Sequence, residues 1–68
     1  MKEFLLQQEY IELNKLLKFE GLVETGGEAK QRITAGEVSV NGETELRIRR
    51  KLHSGDTVII GKQKVVIK

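Results

Sequence analysis

Residues 25–42 read T-G-G-E-A-K-Q-R-I-T-A-G-E-V-S-V-N-G, and three signals of local structure follow one another there without a gap. Thr25 and Glu28 have capping-box spacing, in which a hydroxyl and a carboxylate satisfy backbone donors left over at a helix start. Ala29 and Ile33 stand four residues apart and share one face of the short helix that follows. Gly36 lies where a left-handed residue commonly ends a helix. Val38-Ser39-Val40 then alternates as a strand does, and Asn41-Gly42 is the strongest short-range signal for a tight hairpin turn. The stretch predicts helix, glycine stop, strand and turn. The rest of the chain has to cover its apolar side and leave the other side free.

Upstream, Phe4-Leu5-Leu6 is a short apolar run that predicts an opening strand. Tyr10, Leu13, Leu16 and Leu17 recur at three- and four-residue spacing with Glu12, Lys15 and Lys18 opposite, which predicts an amphipathic helix ended by Gly21. Leu22-Val23 joins it to Thr25, and two helices so closely connected must pack against each other. Downstream, Glu45 to Arg49 alternates with Leu46 and Ile48 on one face, which predicts a strand. Ser54-Gly55-Asp56 reads as a turn, and Thr57 to Ile60 with Val65 to Ile67 as a last hairpin closed around Gly61-Lys62. The predicted fold class is α+β: two packed helices followed by a small antiparallel sheet, with a short N-terminal strand ahead of them.

Sixty-eight residues predict one domain, 1–68, which buries only about 60% of its unfolded surface. Without cysteine it has no disulfide, no thiolate chemistry and no cysteine-based zinc site; metal binding is expected to fail for want of ligands, and no cofactor is expected. No apolar run approaches the roughly 20 residues of a membrane span, and no signal-peptide core follows Met1-Lys2-Glu3-Phe4. A soluble cytoplasmic protein is expected. The net charge of +2 hides an uneven distribution. Residues 1–28 carry three lysines against six glutamates, a balance of −3, and residues 29–68 carry nine basic groups against four acidic ones, a balance of +5. The basic excess is densest at Arg47-Ile48-Arg49-Arg50-Lys51. Such asymmetry points to an anionic partner for the second half, and the plain alternative is a solvated surface.

Catalysis finds little to stand on. His53 and Asp56 are the only histidine and the only aspartate, set three residues apart beside a turn, and no nucleophile or phosphate loop accompanies them. Phe4, Tyr10 and Phe19 are the only aromatics, and core packing is expected of all three rather than base stacking. Backbone electrostatics remain. Gly26 and Gly27 bare the amides of a first helical turn, where free N–H groups and the helix dipole favour phosphate. Lys30 faces away from Ile33, and Arg32 lies on a flank of the same helix. Arg47, Arg49, Arg50 and Lys51 extend the basic surface, and the planar guanidinium can bind two phosphate oxygens at once. Contacts of shape and phosphate fit structured RNA better than groove reading in DNA.

Ala29, Ile33, Gly36, Val38 and Val40-Asn41-Gly42 at this spacing, followed by Leu52, Gly55-Asp56 and Val58, resemble the αL-motif RNA-binding domain named after a small-subunit ribosomal protein, the "S-four" type. The resemblance covers about residues 10–60, and the G-G-E-A-K wording is similar to small stand-alone bacterial members. It implies RNA binding through two helices and the adjoining hairpin, commonly on ribosomal or transfer RNA. Thr25 matches the residue that opens the second helix, and Lys30 and Gln31 match polar positions on its exposed side. One departure stands out: many members carry arginine directly after the opening serine, where this chain has Gly26 and Gly27. Arg47 to Lys51 are the expected compensation.

The expected function is a non-catalytic RNA-binding module, acting as a monomer on ribosomal RNA, ribosome assembly or transfer RNA. Thr25, Gly26, Gly27, Lys30, Gln31, Arg32, Arg47, Arg49, Arg50 and Lys51 are the expected contacts, with Lys15 and Lys18 at the rim. The alternative is a protein-interaction adaptor whose acidic first half docks a partner and which has no nucleic-acid ligand.

Overall fold

The computed structural model describes residues 2–68. The elements, in chain order, are β1 (Lys2–Phe4), β2 (Ile11–Glu12), α1 (Leu13–Phe19), α2 (Gly26–Thr34), β3 (Val38–Val40), β4 (Glu43–Thr44), β5 (Lys51–Leu52), β6 (Thr57–Ile60) and β7 (Gln63–Ile67). Five strands form one sheet in the order β1-β7-β6-β3-β4, and β2 pairs with β5 in a separate two-stranded sheet. The fold class is α+β, as the sequence predicts. The main sheet is mixed rather than purely antiparallel, because β1 runs parallel to β7 with Phe4 opposite Ile67. Pairing between the two ends of the chain leaves no local signature, so only the assembled fold reveals it.

The stretch 25–42 folds as its residues predict. Thr25 has an extended backbone, and its Oγ1 accepts from the Glu28 amide at 3.1 Å. The returning carboxylate Oε1 of Glu28 accepts from the Glu24 amide at 2.8 Å, one residue earlier than in a strict capping box. Gly36 ends the helix at φ +80°, with its amide bonded to the Ile33 carbonyl. Asn41 and Gly42 both have positive φ, 54° and 87°, as a type I′ turn requires. Val40 accordingly faces Glu43 across the hairpin.

Leu13, Leu16 and Leu17 of α1 pack with Ala29 and Ile33 of α2, and the sheet adds Val38, Val40, Val58, Ile60, Val65 and Ile67 to the same core. At about 25 cal/mol per Å² of apolar surface removed from water, this single core is the main favourable term in folding.

Two sequence expectations are corrected. The first helix starts at Leu13 rather than Tyr10, because residues 11–12 are drawn into β2 opposite Leu52 and Lys51. Tyr10 is therefore exposed instead of lying on an apolar helical face, and Phe19, at the end of α1, is 72% exposed. The expectation that all three aromatics are core residues fails for these two.

The second correction concerns residues 45–50, which form no strand. Glu45 is 7% exposed while Leu46 is 58% exposed, the reverse of the predicted facing. The reason is electrostatic. The Glu45 carboxylate accepts from the Arg47 amide and Nε, both at 3.0 Å, from Arg47 Nη2 at 3.2 Å and from Arg50 Nη1 at 2.6 Å. Those bonds satisfy a buried charge only if the chain curls around it.

Candidate nucleic-acid interface

The loop 45–50 is held from two sides. Helix α1 has no side-chain cap at Glu12, so its first amides need other acceptors. The loop provides them: the Leu13 amide donates to the Arg50 carbonyl at 2.8 Å and the Asn14 amide to the Ile48 carbonyl at 3.1 Å. Ile48 packs against the core, and Glu45 ties the loop from within. Bonds from the Arg47 side chain, from its amide and from Arg50 hold the Glu45 carboxyl at a pKa of about 2, against the opposing effect of burial. The same pairing raises the pKa of Arg47. Four cations thus project from a fixed backbone rather than a loose tail.

Arg47, Arg49, Arg50 and Lys51 together line one surface hollow of about 400 Å³. Arg49 is 77% exposed, and its Nε lies 3.9 Å from Glu12 Oε1. Lys15 Nζ lies 3.6 Å from that same oxygen, so Glu12 stands between the hollow and the start of α1. Lys51 Nζ sits 4.8 Å from the Tyr10 ring centroid, a cation–π contact that places its charge beside the aromatic face. Arg50 is the least available of the four, being partly buried with its Nη1 on Glu45. The hollow carries four positive charges against two carboxylates, Glu45 beneath Arg47 and Arg50 and Glu12 beside Arg49.

The other expected residues lie on α2. Gly26, Gly27, Lys30 and Gln31 are all exposed while Ala29 and Ile33 face the core, so the helix presents them as one surface. Both glycines have ordinary helical backbone. A Cβ at Gly26 would meet nothing within 4 Å, and one at Gly27 would lie 3.8 Å from Thr25 Oγ1. The fold itself therefore does not require glycine at either position. Arg32 is different: its Nε donates to Glu37 Oε1 at 2.6 Å and its Nη1 lies 3.9 Å from Glu28. It braces the end of α2 against the following turn and is committed internally. Lys18 is exposed in the last turn of α1, where a cation also suits the helix dipole.

His53 and Asp56 form a turn. The Asp56 carboxylate accepts from the His53 amide at 2.8 Å and from Asn41 Nδ2 at 3.0 Å, and Asn41 Oδ1 accepts from the Thr57 amide at 2.9 Å. Burial pushes the Asp56 carboxyl up, but these bonds outweigh it and hold it below its usual range. Among the described residues no group of three or more His, Cys, Asp or Glu could hold a metal ion, and no helix is long and apolar enough to cross a membrane. Sequence reasoning missed Glu45, the residue that shapes the hollow. Its signal was available: a carboxylate two and five residues before arginines.

Residues 4–68 match the S4 domain family. The chain is 47% identical over 49 residues to the Escherichia coli (strain K12) protein named "Putative RNA-binding protein YbcJ", spanning 72% of this chain and 70% of that one. It is 40% identical over 55 residues to the "Probable ribosome maturation protein RlbA" of Bacillus subtilis (strain 168), spanning 81% and 78%. The solution structure of YbcJ from E. coli, described as having an αL motif involved in RNA binding, superposes with a TM-score of 0.75 at 40% identity. That superposition covers 98% of this chain and 86% of the other. A shared fold, a matched family and close relatives agree with the motif in residues 25–58, and the chain belongs to the S4 domain family, of the αL-motif RNA-binding type.

Proposed function

We propose that this protein is a non-catalytic RNA-binding module that grips the phosphate backbone of structured RNA, with ribosomal RNA during ribosome maturation as its target. The observation that carries the reading is the hollow whose lining, among the described residues, is Arg47, Arg49, Arg50 and Lys51. Among those residues the Arg49 fork is bonded to no carboxylate at hydrogen-bond distance and suits phosphate oxygens, while Arg47 and Arg50 offer the N–H groups that Glu45 does not take. The exposed face of α2, with the bare amides of Gly26 and Gly27 beside Lys30 and Gln31, supplies a second set of contacts. The named role of the B. subtilis relative in ribosome maturation supports ribosomal RNA over transfer RNA as the target. Tyr10 flanks the hollow under Lys51 and is the aromatic best placed to meet a base.

The test is an amide NMR titration of the labelled protein with a structured ribosomal RNA fragment, alongside the Arg49→Glu variant. Shifts clustering on residues 25–32 and 47–51 are expected, with affinity lowered about tenfold or more in the variant. Arg49 is exposed but faces Glu12, so its replacement by glutamate is expected to cost up to about 1 kcal/mol of stability. Wild-type affinity in Arg49→Glu would remove the hollow from the site.

A further inference from the structure

The same molecule carries a second surface with the opposite character. Between β1 and α1 lies an open trough of about 690 Å³ whose apolar lining is Phe4, Leu5, Leu6, Tyr10, Ile11 and Phe19. Leu5 is 69% exposed and Phe19 72%, in a chain that can spare little apolar surface. The trough is built rather than loose. The Phe4 and Phe19 rings meet edge to face with centroids 5.3 Å apart, and Lys2 Nζ donates to the Glu20 carbonyl at 3.0 Å.

Two further features specify an occupant. First, β1 is the outer strand of the main sheet and is hydrogen-bonded only to β7. The Phe4 carbonyl accepts from the Lys68 amide and the Leu6 amide donates to the Lys68 carbonyl. By the alternation of a strand, the main-chain groups of Glu3 and Leu5 then point outward from the sheet. Second, four glutamates line the trough and the small hollow that adjoins it: Glu3 pairs with Lys68 at 3.6 Å and Glu12 with Lys15 and Arg49, while Glu9 and Glu20 have no ion pair among the described residues. Those two carboxylates favour a cationic occupant over phosphate or the same rim of a second copy.

We propose that this edge and trough bind an extended, basic segment of a partner protein, which adds a strand beside β1. Its backbone pairs with the outward groups of Glu3 and Leu5, alternate apolar side chains enter the trough, and lysines or arginines between them meet the glutamates. Because Tyr10 both lines the trough and lies under Lys51, the peptide surface abuts the basic hollow. The protein would hold RNA and a basic polypeptide side by side. Tyr10 and Lys15 border both surfaces, whereas Leu5, Phe19 and Glu9 belong to the peptide surface alone, so variants at those positions let this inference fail independently of the RNA reading.

The probe is an amidated decapeptide alternating lysine and valine, titrated into the labelled full chain at about 0.15 M salt, where exposed charges are screened beyond roughly 8 Å. Shifts are expected on residues 3–8 and 19–20. A lysine–serine peptide of equal charge is expected to bind about tenfold more weakly, and Leu5→Ser to weaken the lysine–valine peptide by a similar factor. Leu5 is exposed, so that variant keeps its fold, and its affinity for RNA should be unchanged. Glu9→Lys should weaken the peptide without touching the apolar lining. The proposal is overturned if no shifts occur, if they fall on residues 25–32 and 47–51 instead, or if the lysine–serine peptide binds equally well. It is also overturned if the same amides shift with protein concentration alone, which would place a second copy in the trough.

Discussion

Glu45 is the residue on which the basic loop depends. Replacing it with glutamine keeps the shape but removes the charge that two arginines converge on, and the loss is expected to be about 2–3 kcal/mol, measurable by urea denaturation. Its pH signature follows from the direction of its shift. The folded carboxyl has a pKa of about 2 against an ordinary 4.5, so its contribution is fully present above about pH 4.5 and is lost as pH falls through 2. Thermal melts of the wild type should therefore decline across that acid window, and Glu45→Gln should flatten part of the decline. Gly26 invites the opposite experiment. A methyl group there touches nothing in the chain, so Gly26→Ala is expected to raise the melting temperature by about 2–4 °C through lower unfolded-state entropy. If phosphate rests on the amides of that turn, the same substitution weakens RNA binding. A variant both more stable and equally able to bind would show that Gly26 serves no ligand.

The hairpin β3–β4 is the element that joins helix to sheet, and Asn41 does two jobs within it. Its backbone adopts φ 54°, and its side chain bonds to Asp56 and to the Thr57 amide. Asn41→Gly keeps the first and deletes the second, so it isolates the cross-strand bonds. Their loss should cost about 1–2 kcal/mol, read as a lower urea midpoint with an unchanged slope. The helix pair shows how far local rules reach. α2 obeys its sequence from cap to stop, because Thr25, Glu28 and Gly36 all act within a few residues of where they stand. α1 does not, because Ile11 and Glu12 are captured by β5, forty residues further along the chain. Periodicity registered the leucines correctly but could not say where the helix would begin.

Across the whole molecule, two surfaces differ in character: a basic hollow on the loop 45–50 and β5, and an apolar trough beside β1 edged by Glu9 and Glu20. RNA binding through about five phosphate contacts should show a log–log salt slope near −3.5 to −4.5, from roughly 0.7 to 0.9 per contact. Isothermal titration at several salt concentrations measures it, and a slope near zero would remove backbone electrostatics as the source of affinity. Residues 25–42 by themselves determined the second helix, its cap, its stop and the hairpin, and their spacing with Leu52, Gly55-Asp56 and Val58 identified the family. Each of those signals depends on neighbours a few residues apart, where backbone geometry and side-chain reach suffice. The cluster Arg47 to Lys51 was also legible, since charge density is a property of composition. Tertiary structure alone decided that β1 returns to pair with β7, that Glu45 turns inward and curls its loop, that Arg32 is spent on Glu37, and that Phe19 remains in water. Those outcomes are set by long-range pairing and by the need to satisfy a buried charge, for which no local rule exists.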